Sequence, residues 1–338
     1  MNWPGPGIVR LSAGKEGRCC PRRLTPAYRN KIIGGHTPVQ VMAGNVRLIR
    51  RTDVETPDGV FTLTLGAEDL SSLYPGMVRY TLRLKKGNEV VGTFLTNTYE
   101  YSPTVPLDAE TTALQKAAAW ERELRENRER FLAVVGKKIP GRSSALPITD
   151  VAVIQGSPRA DGNCSIMAGW VVEAAKAAGK TVRVIYPDDL DIHPCIGCYR
   201  CYNTGTCTFE DDMNDIIRVV AHSSLLVICS PVYTNTVPGG LKIVIDRCQA
   251  LHAARTLGAA KKMSDGLLLA VCGRKGRSNF ACLTAVGGAF MGNLGIRSVG
   301  EILVDGIDLL RDVRLVDGLE EQVKERVRSC LISPRPRP

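Results

Sequence analysis

From residue 151 onward, short unbroken apolar runs alternate with stretches of helical period. The runs cover 151–155, 182–186, 225–229, 267–271 and 299–304. They are rich in β-branched residues and bounded by turn formers, the pattern of strands buried on both faces. Helical period occupies 164–178, 212–222, 238–251, 279–294 and 314–331, with Gly179 and Gly295 in the stop position after two of them. Interleaving of this kind predicts parallel strands joined by right-handed crossovers, a doubly wound three-layer α/β domain.

Upstream the pattern changes. Partial alternation at 46–51, 60–65, 78–85 and 90–97, with Lys86-Gly87-Asn88 as a hairpin turn, predicts a small antiparallel sheet. Residues 108–135 then read as a charged helix. Runs such as Glu121-Arg122-Glu123-Leu124-Arg125-Glu126 supply i,i+4 ion pairs, as expected of a solvated helix linking two domains or of an oligomer contact. Residues 137–149, with two Pro and two Ser, are the expected linker. Residues 1–40 contain five Pro and little apolar pattern and read as disordered, with Met42 a candidate natural start. The expected organisation is a basic tail (1–41), a β domain (42–107), helix and linker (108–148) and the α/β domain (149–338), which carries a cysteine-rich loop at 188–212.

A length of 338 residues suits two domains, and 44 % hydrophobic with 23 % charged residues is an ordinary globular balance. No apolar run approaches the ~18 residues of a membrane span, and the first thirty residues lack the apolar stretch of a secretory signal. The expectation is a cytoplasmic protein without a membrane partner. The net charge of +10 is concentrated, because residues 1–36 carry seven Lys or Arg against one Glu. With that segment set aside and aromatics at 5 %, no nucleic-acid surface is expected.

Twelve cysteines are present, and four of them, Cys195, Cys198, Cys201 and Cys207, fall within thirteen residues as C-x2-C-x2-C-x5-C. In a reducing compartment such a cluster points to metal or redox chemistry. Three cysteines at intervals of three with a fourth after a Gly-containing turn can supply the four thiolates of a 4Fe–4S cluster. Zinc, a thiol/disulfide site and unligated structural thiols are the alternatives. His193, Cys19, Cys20 and the other scattered cysteines are read as structural.

The first strand of the α/β domain runs into Gly156-Ser157-Pro158-Arg159-Ala160-Asp161-Gly162-Asn163-Cys164-Ser165 and then a helix. A polar loop opening a helix offers converging N–H groups and a favourable dipole to an anion. Ser157, Asn163 and Ser165 add side-chain donors, and Arg159 adds charge. Neither Gly-x-Gly-x-x-Gly nor Gly-Lys-Ser/Thr is present, so the loop suits one terminal monophosphate, as in FMN, or is an ordinary strand–helix turn. Pro231, Val232, Tyr233, Thr234 and Asn235 follow the third strand. In a doubly wound sheet these two loops meet at the topological switch point. The cysteine loop follows the second strand and emerges on the same edge, which would make a metal centre and a flavin neighbours within one chain or across a dimer contact.

Gly156-Ser157-Pro158-Arg159, Gly162-Asn163, the four cysteines, Asp211-Asp212-Met213, Ser230-Pro231-Val232-Tyr233 and Lys242 with Asp246-Arg247 appear in this order. Together they resemble the NADPH-dependent FMN reductase superfamily of flavodoxin-like fold, and within it the iron–sulfur flavoproteins. Cys164 stands where that family commonly has Thr or Ser. The resemblance implies a five-stranded flavodoxin-like sheet and FMN held by the 157–165 and 231–236 loops, with its ring near Cys272, Gly273 and Arg274. It also implies a 4Fe–4S cluster on the four cysteines and a homodimer or tetramer. Electrons would come from a ferredoxin-like donor or NAD(P)H and pass to a small oxidised acceptor. The competing readings are a cluster-free NAD(P)H-dependent flavin or quinone reductase, and a non-enzymatic flavin redox sensor.

Overall fold

The computed structural model describes residues 46–102, 106–135, 147–259 and 263–332. The basic tail at 1–41 with Cys19 and Cys20, the candidate start at Met42 and most of the 137–149 linker lie outside the described residues.

Strands β1 (Val46–Thr56), β2 (Gly59–Asp69), β3 (Val78–Lys86) and β4 (Glu89–Asn97) form an antiparallel meander in that order. Lys86 pairs with Glu89 across the Gly87-Asn88 turn. β1 and β2 run beyond their apolar stretches because the ladder continues through exposed polar positions such as Arg51, Asp53 and Glu55. One face buries Phe61, Leu63, Leu65, Leu82 and Leu84, the period-2 signature of a half-buried sheet.

The charged segment is not a solvated linker. It forms α1 (Ala109–Glu126) and α2 (Arg128–Val135), broken at Asn127. Asp108 caps α1 through Oδ1, which accepts the Thr111 N–H at 2.7 Å. Ala109, Ala113, Ala117, Trp120 and Leu124 recur every three or four residues and form a stripe buried on the sheet. The alanines are small and the Glu/Arg face is conspicuous, so the stripe is easily overlooked. Gly92 on β4 lets α2 approach, since an added Cβ would collide with the Val135 side chain.

The second sheet holds β5 (Val151–Gln155), β6 (Val182–Ile185), β7 (Leu225–Pro231), β8 (Asp265–Val271) and β9 (Arg297–Val304). All are parallel, in the order β6-β5-β7-β8-β9. Numbered within the domain this is 2-1-3-4-5, the flavodoxin-like order, and its switch point lies between β5 and β7.

The helices are α3 (Asn163–Ala177), α4 (Cys201–Thr204), α5 (Met213–His222), α6 (Gly239–Arg247), α7 (Gln249–Thr256), α8 (Ala281–Asn293), α9 (Ile307–Leu310) and α10 (Leu319–Ile332). α3 and α10 cover the sheet face carrying Val151 and Val153. α5 to α8 cover the face carrying Ala152 and Ile154. The helix expected over 238–251 is two helices that meet at Cys248. The one expected from 314 starts at Leu319, because a tight 3-10 turn occupies Val313–Leu315. Among the described residues no helix is long and apolar enough to cross a membrane.

The two sheets are joined by a small core of their own. Leu70 and Met77 from the β2–β3 connection pack with Tyr202 of α4 and with Ala253 and Leu257 of the α7 region.

Candidate functional site

The loops after β5, β7 and β8, with the segment after β9, enclose a cavity of about 1530 Å³ at the carboxyl edge of the parallel sheet. Ser157, Arg159, Gly162, Asn163, Cys164, Pro231, Val232, Tyr233, Thr234, Asn235, Cys272 and Gly273 all line it. Ser165, the other residue expected there, does not.

The loop after β5 is braced from beneath by Gln155, whose residue is fully buried. Gln155 Oε1 accepts the Ser157 N–H at 2.6 Å, and Nε2 donates to Ser165 Oγ at 2.7 Å. The side chains expected to reach an anion serve the loop instead. Ser157 Oγ accepts the Arg159 N–H. Ser165 Oγ donates to the Arg159 carbonyl. Asn163 reaches across to the segment after β9, accepting from Val313 N–H at 2.9 Å and donating to the Arg311 carbonyl at 3.2 Å. Cys164 is 2 % exposed, and its thiol sits in the core, where burial pushes its pKa up to about 12. What it offers the cavity is main chain.

What the cavity still offers an anion is therefore backbone and charge. Gly162 is the N-cap of α3 and has no side chain to satisfy the first-turn N–H groups. Ser165 N–H turns back to the Gly162 carbonyl at 2.9 Å, and the N–H groups of Asn163 and Cys164, with the dipole, remain for an anion. Arg159, Arg274, Arg311 and Arg314 add cationic groups around the cavity, and Arg314 is paired with Asp312.

The turn after β7 is tight. Tyr233 and Thr236 exchange both backbone hydrogen bonds, at 2.9 and 3.0 Å, and Thr234 and Asn235 have φ of 44° and 66°. Left-handed φ at both central positions is the type I′ pattern, and for a β-branched residue it costs on the order of 1–3 kcal/mol. Strain of this kind collects at ligand sites. Tyr233 is presented at the cavity, partly exposed.

Cys272 and Gly273 are tied to the segment after β9. Cys272 N–H donates to the Val304 carbonyl, and the carbonyls of Cys272 and Gly273 accept from Ile307 and Asp308. An added Cβ on Gly273 would run into the Asp308 carboxylate, so glycine permits the approach. Gln155, Asp308, Arg311 and Arg314 escaped sequence reading. Gln155 ends an apolar strand, and the segment after β9 matches no motif.

The cysteine loop lies elsewhere on the same edge. Cys195 is exposed, and Cys198, Cys201 and Cys207 are half-buried free thiols. None of the four lines the cavity, so the two candidate centres share no wall within one chain. The four thiols nevertheless feel one another. Burial pushes Cys201 up to about 12, and charge on Cys198, Cys207 and Cys195 pushes the same way. Among the described residues no three His, Cys, Asp or Glu side chains are gathered closely enough to hold a single metal ion.

Arg247 staples the base of this loop. It is 1 % exposed. Its Nη1 donates to the His193 carbonyl at 2.5 Å and to Asp211 Oδ2 at 2.6 Å, and Nη2 donates to Asp211 Oδ1 at 2.8 Å. Phe209 lies under the guanidinium and is stacked on His193. His193 is thus a loop-holding residue, its N–H donating to Asp211.

Burial opposes the charge on Asp211, but hydrogen bonds from Arg247 and from the His193 and Met213 N–H groups outweigh it and hold the carboxyl below the usual range. A depressed folded-state pKa stabilises the fold above the unfolded value near pH 4, and the contribution is lost as pH falls through the folded value. In urea titrations from pH 6 downward, Asp211→Asn is expected to be less stable than wild type at pH 6 and to show a shallower loss below about pH 4. Parallel acid limbs for the two proteins would refute this.

A profile of the NADPH-dependent FMN reductase family matches residues 149–300. An iron–sulfur flavoprotein of Methanocaldococcus jannaschii is 33 % identical over 99 residues, 29 % of this chain and 51 % of the relative. One from Methanosarcina thermophila is 30 % identical over 122 residues, 36 % of this chain and 62 % of the relative. The chain thus spans only about half to three fifths of the length of these curated relatives. Among solved structures, an azoreductase from Bacillus anthracis aligns with a TM-score of 0.42 at 13 % identity, covering 54 % of this chain and all of that one. The family match begins just before β5 and ends within β9, so it takes in every cavity loop up to the segment after β9, together with the four cysteines. Residues 149–300, a little under half of the chain, are thus similar to the NADPH-dependent FMN reductase family.

Proposed function

We propose that this protein is a flavin-dependent oxidoreductase that holds FMN in the cavity and a 4Fe–4S cluster on Cys195, Cys198, Cys201 and Cys207. NAD(P)H or a ferredoxin-like protein would be the electron donor and a small oxidised molecule the acceptor. The observation that carries the flavin half is the α3 N-terminus, uncapped by any side chain and open to the cavity at the switch point. It fits a terminal phosphate.

When bound, the flavin supplies two-electron chemistry and the cluster single-electron transfer. The chain's residues do the rest. The α3 first turn and Arg159 hold the phosphate, and Gln155 keeps that loop in shape. The strained Tyr233–Thr236 turn and the Cys272-Gly273 segment bound the space left for a flat ring. The thiols must lose their protons to become ligands, and burial, which holds Cys198 and Cys201 above the ordinary thiol range, is overcome when a cation compensates the charge. The C-x2-C-x2-C-x5-C spacing puts four thiols on one loop, the number a 4Fe–4S cluster needs.

Anaerobic purification with a visible spectrum and iron, sulfide and flavin assays tests the reading. The expected result is about one FMN, with about four irons and four sulfides, per chain, plus a broad ~400 nm shoulder that is lost in Cys201→Ser while the flavin stays. Flavin without iron would leave the four cysteines as thiols and make a cluster-free flavin or quinone reductase the better reading. A protein purified without flavin that does not take it up would sink both.

A further inference from the structure

The loop that carries the four cysteines is gripped from outside its own domain. We propose that the N-terminal sheet is a clamp that sets the conformation of the 195–207 loop, with Asn97 at the end of β4 as the positioning residue. The clamp does not depend on what the cysteines hold, so it stands or falls separately from the cluster.

Five contacts make the grip. Asn97 is fully buried. Its Nδ2 donates to the Tyr199 carbonyl at 3.3 Å and to Asn203 Oδ1 at 2.7 Å. Asn203 Nδ2 returns a bond to Glu100 Oε1 at 2.7 Å, and Arg200 pairs with Glu100 Oε2 at 3.2 Å. Arg79, buried and paired with Glu68, donates to the Asn203 carbonyl at 3.2 Å. These donors and acceptors sit on β2, β3, β4 and the turn after β4, and every partner lies between Cys198 and Cys207.

The loop needs such a grip. Tyr199, between Cys198 and Cys201, has φ of 54°, a left-handed conformation that an ordinary residue adopts only when its surroundings impose it. Its carbonyl is the one Asn97 catches. Its ring is enclosed by Tyr74 and Tyr99 of the N-terminal part and by Tyr202, with centroids 5.1 to 6.2 Å away. Tyr202 is itself fully buried, and its hydroxyl contacts Tyr74 at 3.0 Å and Gln249 at 2.6 Å. The spacing between Cys198 and Cys201 is therefore set by a residue whose backbone the N-terminal sheet holds in place. This gives the sheet a role in the chemistry of the loop without any contact to the cavity.

Asn97 also caps the turn after β4, because its Oδ1 accepts the Tyr99 N–H. Asn97→Asp keeps that acceptor and removes both donors to the loop, which separates positioning from capping. Asn203→Ala removes the same contact from the loop side and leaves the sheet intact.

The test is amide hydrogen exchange followed by mass spectrometry on the full-length chain as purified. Each variant is expected to exchange about tenfold faster over 196–207, with unchanged protection in β5, α3 and the core of β2 and β3. The double variant should fall short of the sum of the two single changes, because the Asn97–Asn203 bond is lost in both. Unchanged exchange over 196–207 in a folded Asn97→Asp or Asn203→Ala protein would overturn the clamp. So would acceleration spread equally over the whole N-terminal sheet, or full additivity in the double variant.

Discussion

Arg247→Ala is expected to destabilise the protein by about 3–5 kcal/mol, the cost of removing one partner from a buried ion pair. Both side chains are almost wholly enclosed, so Asp211 would be left as a buried carboxylate without its guanidinium. The His193 carbonyl would lose its donor, and the ring of Phe209 would face an empty volume. Water cannot compensate without opening the loop. Urea denaturation at pH 7 reads the effect directly, and a loss below about 1 kcal/mol would mean that the pair is solvated in solution.

Arg247→Met with Asp211→Leu removes both charges together, and buried pairs replaced in this way often regain most of the stability. The double variant should therefore fold well while lacking the staple at the base of the cysteine loop. Comparing its thiol accessibility with wild type separates loop closure from global stability.

Trp120→Ala is expected to cost about 3–5 kcal/mol. Trp120 is 2 % exposed and packs edge-on to Phe131 at 5.7 Å, between α1, α2 and the first sheet. Removing the indole leaves a cavity that the backbone of a continuous helix on a sheet cannot close. The cavity proposed to hold FMN shares no residue with this core, so FMN affinity measured by fluorescence titration should be unchanged. A loss within 1 kcal/mol, or a large fall in FMN affinity, would refute the view of this core as a separate structural unit. Residue 120 also marks a limit of sequence reading. The charge pairs of the helix are plain in the text, whereas the stripe from Ala109 to Leu124 is mostly alanine and carries little apolar weight.

The α/β half was legible for a different reason. Strands such as 151–155 and 225–229 are buried on both faces, so every residue is constrained to be apolar and the run stands out from its polar flanks. Strand order then follows from parallel crossovers, and the loops at 156–165 and 231–235 fall at the switch point by topology alone. The chemistry of those loops was less visible. Asn163 and Ser165 look like phosphate donors in the text, yet their hydrogen bonds go to the protein. A side chain's partner depends on distances that spacing does not encode.

What the sequence determined by itself is the alternation of buried strands and helices, the two-sheet organisation, the position of the cavity loops and the presence of four close cysteines. These follow from local periodicity and from connection rules, which act over a few residues or one crossover. Only the tertiary structure decided that the charged helix forms core, that Gln155 and Arg247 hold the two loops, and that Asn97 grips Tyr199 from 102 positions away in the chain. Such contacts join segments whose meeting is set by how two domains pack, and no pattern within either segment carries that information.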